Sequence, residues 1–229
     1  MLQVNDMFYL KARAYVVTSP EELPRQFASA FSHVDLNPSF LWVAGRYVQG
    51  EKQNKNGQFW AKEDLANGEH TIKYVPLNID HDVEHPVGVF VETKMVDRDT
   101  ADTTLPEIQA LACVWAANFP TVAKRVRAAH EEKKLWFSME CVGEKTQCLT
   151  CNQQFAYASK AHELCEHLAT SSKAPRRFIN PVFLGGALVM APLSPAWPDA
   201  DITDLASNLE DQVELGPEEW EEMMSQVLA

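Results

Sequence analysis

The chain has 229 residues, of which 46% are hydrophobic, so it contains enough apolar material for one packed core of single-domain size or slightly more. Its formal net charge is −12, yet every Lys and Arg precedes position 178 and ten acidic residues lie from Asp199 onward. An acidic arm on a nearly neutral body argues against nucleic-acid binding, and no apolar run approaches the roughly 20 residues of a membrane span. We therefore expect a soluble cytoplasmic protein that contacts neither a membrane nor nucleic acid directly.

The first part of the chain has the composition of β-strands. β-Branched and aromatic residues predict strands over residues 7–18 and 38–49, and the Asn-Gly pair at 56–57 predicts a tight turn into a further strand. Between the first two strands, a serine and a proline followed by two glutamates predict a short helix over about residues 21–31.

A polar segment centred on His81 lies between two further predicted strands. These strands cover residues 71–77 and 87–96, and the second alternates apolar and polar residues as a sheet with one buried face does. The pattern places His81 at the end of a strand.

The same segment offers a second interpretation, because Asp80, His81, Asp82 and His85 are all potential ligands of a hydrolytic metal ion. The four-residue spacing of the two histidines suits a helix. However, Pro86 disfavours helical geometry at His85, and the flanking segments are predicted strands. This pattern makes the metal site the less favoured alternative.

The next elements lead to a serine on a predicted strand. Apolar spacing predicts helices over residues 105–119 and 121–134, and the sequence KLWFSMECV predicts a strand over residues 134–142. Alternate residues of a strand share a face, so Ser138 and Glu140 are expected to point the same way. A serine on a strand is in itself an ordinary structural residue.

Three segments together resemble the prohead proteases of tailed bacteriophages, which are capsid-maturation serine proteases distantly similar in fold to herpesvirus assemblin. They are NIDHDVEHPVG at 78–88, LWFSMEC at 135–141 and FLGGALVMAPLSPAWPDADI at 183–202. In that family a histidine precedes the serine, as His81 precedes Ser138 by 57 residues with two predicted helices between them. The resemblance implies a β-rich α+β fold of the assemblin type and a serine endopeptidase activity.

The resemblance also implies roles for individual residues. Ser138 would be the nucleophile and His81 the general base, acting on phage scaffold and major capsid proteins. The enzyme would act as a homo-oligomer inside the assembling prohead in the host cytoplasm. Arg176 and Arg177 loosely resemble the paired arginines that form the assemblin oxyanion hole, with a plain surface pair as the alternative. The other functional hypothesis is a catalytically inactive, protease-derived structural protein of the capsid or core, stabilised by zinc.

A third group normally orients the catalytic imidazole. The resemblance points to an acidic residue in the closing strand, but Gly185 and Gly186 occupy that region. The assemblin version uses a second histidine, for which His162 and His167 are candidates. Glu140, on the same face as the serine and about 7 Å along the strand, is the preferred third member, with an exposed strand carboxylate as the alternative.

An insertion at residues 141–168 carries four of the five cysteines and two histidines. A C-x2-C spacing presents two thiolates to one ion, and a later H-x2-C-x-H segment offers the remaining ligands. The preferred ligands of a structural zinc ion are Cys148, Cys151, His162 and Cys165. His167 is the alternative to His162, and a reduced-thiol loop is the alternative to a metal site.

The sequence thus predicts a prohead-protease-like domain over residues 1–202 and an acidic tail over residues 203–229. The tail begins a helix at about Gly216 and carries an apolar stripe along it. Such a stripe needs a surface to pack on, either the body of this chain or a scaffold or shell protein.

Overall fold

The computed structural model describes residues 8–16, 39–100 and 103–191, with side chains from residue 39 onward. The helix predicted at 21–31 and the predicted acidic helical tail lie outside the described residues. The strands of the described chain are β1 Phe8–Val16, β2 Leu41–Gln49, β3 Gln58–Phe59, β4 Pro76–Ile79, β5 Gly88–Asp99, β6 Thr104–Val114, β7 Leu135–Cys148, β8 Gln154–Ala156 and β9 Arg176–Met190.

Seven of these strands close into a barrel. The neighbours run in the order β9, β4, β5, β6, β2, β1 and β7, and β7 then pairs with β9 to complete the ring. Every pair in the ring is antiparallel except β4 and β9, which are parallel. Strand β3 adds to the beginning of β9, and β8 adds to the end of β7. The long β7–β9 ladder therefore runs from the barrel out to the predicted zinc insertion.

Short helices and turns join the strands. They are α1 Lys62–Gly68, a 3-10 turn at Glu69–Ile72, α2 Pro120–Glu131, a 3-10 turn at Ala161–Glu163 and α3 Glu166–Thr170. Proline is at the start of α2, where its missing N–H has no intrahelical partner to lose. None of the described helices is long and apolar enough to cross a membrane.

Aromatic side chains fill the barrel. Tyr47 contacts both Phe90 and Phe183, with ring centroids 5.1 and 5.4 Å apart, and Phe90 also contacts Phe137 at 5.3 Å. All four are essentially buried. Burial of one such side chain stabilises the fold by about 1.5–3 kcal/mol. Because the barrel interior is packed in this way, the strands hold the side chains on their outer face in fixed positions.

The helix predicted over residues 105–119 is wrong, because this segment forms strand β6 and a turn after it. Its apolar residues match helical spacing, yet nearly the whole strand is buried on both faces. A strand buried on both sides needs no alternation, so its pattern cannot be told from that of a buried helix. As a result a single described helix, α2, lies between His81 and Ser138.

The remaining predicted strands overlap strands of the structure, but their ends differ. The predicted strand at 71–77 begins only at Pro76, after the 3-10 turn, whereas the strand predicted at 134–142 extends to Cys148. The predicted β-rich α+β class is confirmed by the mixed sheet and few helices.

Candidate active site and metal cluster

Strand β7 places Ser138 and Glu140 on the outer face of the barrel. In the ladder with β9, Ser138 lies opposite Ala187 and Glu140 lies opposite Gly185. Both side chains are nevertheless buried, with residue exposures of 0% and 3%. The intervening residues of β7 that fill the barrel core are Leu135, Phe137, Met139 and Cys141.

A tight turn at the end of β4 presents His81 to this face. Asp80 and His81 both have positive φ, 52° and 67°, and Asp82 N–H donates to the carbonyl of Ile79 at 2.9 Å. Two consecutive left-handed residues closed by this bond form a type I′ turn. Asp80 N–H also donates to the carbonyl of Leu188 at 3.0 Å, which fixes the turn to β9. Aspartate and histidine tolerate this region better than most residues, but it still costs about 1 kcal/mol each.

The turn brings the three residues of the predicted triad together. His81 Nε2 lies 2.7 Å from Ser138 Oγ, and His81 Nδ1 lies 2.8 Å from Glu140 Oε1. An ionised carboxylate only accepts hydrogen bonds, so Nδ1 carries the proton and Nε2 is left as an acceptor for the serine hydroxyl. The arrangement can take a proton from Ser138 and stabilise the resulting imidazolium.

Two further residues shape the position of the Glu140 carboxylate. A side chain at Gly185 would collide with it, because a Cβ there would lie 2.7 Å from Glu140 Oε2. Asn78 Nδ2 donates to Glu140 Oε1 at 3.0 Å, and Asn78 is almost completely buried. Sequence reasoning did not single out Asn78, since nothing local to the segment around His81 indicates a contact with a strand 62 residues later.

The alternative metal site around His81 is not formed. His85 instead makes an exposed ion pair with Asp82, whose hydrogen bond raises the pKa of the imidazole. His81 is engaged with the serine and the glutamate. Across the described ranges, groups with metal-ligand geometry occur only at the cysteine cluster of the insertion.

The arginine pair does not lie near the serine. Arg176 and Arg177 are opposite Cys148 and Gln147 in the β7–β9 ladder, ten and nine positions from Ser138, which is about 30 Å along the strand at about 3.3 Å per residue. Arg177 binds Asp64 at 2.6 Å, and Arg176 donates to the backbone carbonyls of Ala174 and Ser171. The oxyanion role suggested for this pair is therefore wrong.

The insertion forms a compact cluster of potential metal ligands. The ligand atoms of the group all lie within 4.8 Å of one another, and the group consists of Cys148, Cys151, Cys165 and His167. Tetrahedral zinc with thiolate ligands requires separations of about 3.8 Å, which the group reaches with a small contraction. Three soft sulfur ligands and one imidazole suit zinc, so the residues fit such an ion.

Local backbone structure supports this cluster. A turn folds the chain back after Cys148, whose N–H donates to the carbonyl of Gln153 at 2.9 Å. Burial tends to raise the pKa of Cys148, but the backbone N–H groups of Cys151 and Thr150 and the neighbouring thiols lower it to about 7. Only a small apolar cluster surrounds the site, namely Cys148, Leu168 and Ala174 with the half-buried Cys151, Phe155, Leu164 and Cys165.

The group of potential ligands contains His167, and not the preferred His162, as its fourth member. That preference assumed one helix carrying His162 and Cys165, but the 3-10 turn ends at Glu163 and Cys165 is in extended conformation before α3. His162 is exposed outside the group, whereas α3 carries His167 to the three cysteines.

No model of a known protein family matches the chain, and no match was found among curated proteins. Among solved structures, the chain is similar to one described as the bacteriophage T4 capsid assembly protease, gp21. The two share 12% sequence identity with a TM-score of 0.40, over 82% of this chain and 100% of that chain.

Proposed function

We propose that this protein is a serine endopeptidase with Ser138 as nucleophile, His81 as general base and Glu140 as the group that orients the imidazole. The observation that carries the proposal is the pair of contacts at His81, 2.7 Å to the serine hydroxyl and 2.8 Å to the carboxylate. These contacts join three residues from two distant parts of the sequence, in the order of roles that acyl transfer needs.

The proposed reaction follows the general chemistry of such triads. His81 Nε2 takes the hydroxyl proton while Ser138 Oγ attacks the scissile carbonyl carbon, and Glu140 stabilises the imidazolium. The proton then passes from Nε2 to the leaving amine as the peptide C–N bond breaks. Water, activated by the same histidine, hydrolyses the acyl-enzyme and restores the serine.

The prohead setting rests on the resemblance of three sequence segments to prohead proteases. In that setting the substrates are scaffold and major capsid proteins, and the enzyme acts as a homo-oligomer inside the assembling shell. Confinement with the substrate gives a high effective concentration, so a modest intrinsic rate is sufficient there.

We propose a separate, structural role for zinc at the cysteine cluster. Cys148, Cys151, Cys165 and His167 would supply four protein ligands, which leaves no open position for water. The cluster lies ten positions along β7 from Ser138, too far for the metal to act on the same bond. Its contribution would be to fold an insertion whose own apolar core is small.

One observation favours a second candidate, an inactive protease-derived structural protein of the capsid or core. Ser138 has no exposed surface, and 12% of the His81 side chain is exposed. A nucleophile closed to solvent cannot meet a polypeptide without a local rearrangement. In an inactive descendant the same three residues would persist as a buried hydrogen-bonded group.

Co-expression with the scaffold and major capsid proteins of the same phage separates the two candidates. Mass spectrometry should detect cleavage with the native chain and none with Ser138→Ala. A fluorophosphonate probe should label the native protein at Ser138 and leave the variant unlabelled. Cleavage that persists in Ser138→Ala contradicts the nucleophile assignment, and absence of both cleavage and labelling in the native chain favours the structural role.

A further inference from the structure

We infer that Asn78 is a positioning residue of the site, a fourth member that holds Glu140 in the orientation His81 requires. The inference rests on the proposed function and extends it to a residue outside the triad. Asn78 lies on β4, three residues before His81, and reaches across to the carboxylate on β7.

The placement of Asn78 follows from strand register. In the parallel β4–β9 ladder Asn78 is opposite Ala187, and in the antiparallel β9–β7 ladder Ala187 is opposite Ser138. Asn78 and Ser138 thus flank the same small residue from two sides. The small side chain of Ala187 and the missing side chain of Gly185 leave room on this face for the side chains of Asn78 and Glu140 to meet.

Glu140 Oε1 accepts two hydrogen bonds at once. One comes from His81 Nδ1 at 2.8 Å and the other from Asn78 Nδ2 at 3.0 Å. With both donors in place, the carboxylate cannot rotate about its terminal torsion without losing a bond inside a buried site. Asn78 therefore restrains the group that in turn restrains His81.

The orientation of the Asn78 amide is set by the chemistry of its neighbour. A carboxylate is acceptor-only, so the NH2 group must face Glu140. As a result Asn78 Oδ1 is a buried acceptor without a hydrogen-bond partner in the described part of the chain. An unsatisfied buried amide oxygen lowers the stability of the fold, so a residue serving stability alone has little reason to be an asparagine here.

The test compares pH profiles of fluorophosphonate labelling at Ser138. Asn78→Leu removes the donor at similar size, and the labelling rate should fall about 10-fold to 100-fold. Asn78→Asp keeps the size but can donate to Glu140 only while protonated. The labelling rate of Asn78→Asp should therefore fall at high pH. Its pH profile should have a descending limb that the native profile lacks.

Asn54→Asp is the matched control, because Asn54 is another buried amide, hydrogen bonded to Gln58 at 3.0 Å beside the far end of β9. Its pH profile should match the native one. Thermal melting checks folding, and if Asn78→Leu does not fold the isosteric Asn78→Asp carries the comparison. If both Asn78 variants are labelled at the native rate and with the native pH profile, the inference is overturned.

A second readout separates this inference from the proposed function. NMR of 15N-labelled histidine reports which ring nitrogen of His81 carries the proton, with no chemistry needed. We expect the Nδ1–H form in the native protein and a mixture of forms in Asn78→Leu. If the native protein is not labelled but this change occurs, the proposed activity fails and the positioning role stands; an unchanged tautomer refutes the positioning role.

Discussion

Gly185 faces the carboxylate of Glu140 across the β7–β9 ladder, and its missing side chain is what leaves room for that carboxylate. A Cβ at this position would lie 2.7 Å from Glu140 Oε2 and 3.1 Å from the carbonyl oxygen of Pro76. The backbone of Pro76 belongs to β4 and cannot easily retreat, so the carboxylate would have to move.

Gly185→Ala should therefore uncouple Glu140 from His81. We expect fluorophosphonate labelling of Ser138 to slow about 100-fold or more, since a displacement of about 1 Å is enough for that loss. The stability cost should be about 1–3 kcal/mol. Gly143→Ala is the control, because its Cβ on β7 would meet the carbonyl oxygen of Lys145 at 2.8 Å and the Phe178 ring at 3.2 Å, away from the three residues of the site. If Gly185→Ala labels as fast as Gly143→Ala at matched stability, the steric relationship is not what holds Glu140.

The same relationship predicts that the carboxylate can be supplied from the opposite strand. Glu140→Ala removes it and should slow labelling of Ser138 at least as much as Gly185→Ala does. Adding Gly185→Asp places a carboxylate from β9 beside the space that Glu140 vacates, and it should restore part of the rate by accepting the hydrogen bond of His81 Nδ1. The comparison is the labelling rate of the single and double variants. A double variant no faster than Glu140→Ala would show that the space, although shared, does not present the carboxylate to the imidazole.

The metal cluster predicts different outcomes for the two histidines of the insertion, since His167 belongs to the cluster and His162 does not. After expression in zinc-containing medium, His167→Ala should lower the metal-to-protein ratio well below that of the native chain, whereas His162→Ala should leave it unchanged. Elemental analysis of protein purified without chelator measures both. Chelation should loosen the insertion but not abolish labelling of Ser138, because the two sites are ten ladder positions apart. Loss of zinc in His162→Ala alone would contradict the ligand set.

Parts of both candidate sites could be predicted from short-range spacing in the sequence, whereas the pairing of His81 with Ser138 was predicted from the resemblance of three segments to a protease family. Strand alternation alone put Ser138 and Glu140 on one face, and the C-x2-C spacing identified Cys148 and Cys151 as a pair. The sequence did not predict His167 as the preferred fourth member of the group. The prediction of His162 assumed that His162 and Cys165 share one helix, but they are on separate short elements. A five-residue helix such as α3 has too few residues to show periodicity.

Contacts that depend on the register of the strand ladders could not be predicted from the sequence. The hydrogen bond from Asn78 to Glu140 requires β4 and β7 to flank β9 in a particular register, and no local pattern encodes it. The failure at β6 has a related cause, since burial on both faces removed the alternation that marks a strand. In the sequence, Gly185 lies where the resemblance points to an acidic residue. In the structure, its missing side chain leaves the space that the Glu140 carboxylate fills.

The turn that carries His81 predicts opposite effects for two substitutions of the exposed Asp80. Asp80→Gly relieves the left-handed conformation at φ 52° and should leave stability unchanged or raise it by up to about 1 kcal/mol. Asp80→Val puts a β-branched residue in that conformation and should lower stability by about 1–2 kcal/mol while slowing labelling of Ser138. Urea unfolding and labelling rates measure both effects. Equal stabilities for the two variants would mean that the turn relaxes at no cost.

The half-buried His130, in the last turn of α2, predicts a pH dependence of stability. Burial lowers the pKa of this imidazole from its usual 6.5 to about 4. As pH falls from about 6.5 toward 4, the unfolded chain binds a proton at this position that the folded chain excludes, so unfolding becomes more favourable. Other groups titrate in the same range, so the informative quantity is a difference between two proteins. The free energy of unfolding of the native chain, minus that of His130→Gln, should decrease steadily as the pH is lowered from about 6.5 to 4. Urea titrations of both proteins at each pH measure this difference. A difference that stays constant with pH would show that His130 is protonated equally in the folded and unfolded states.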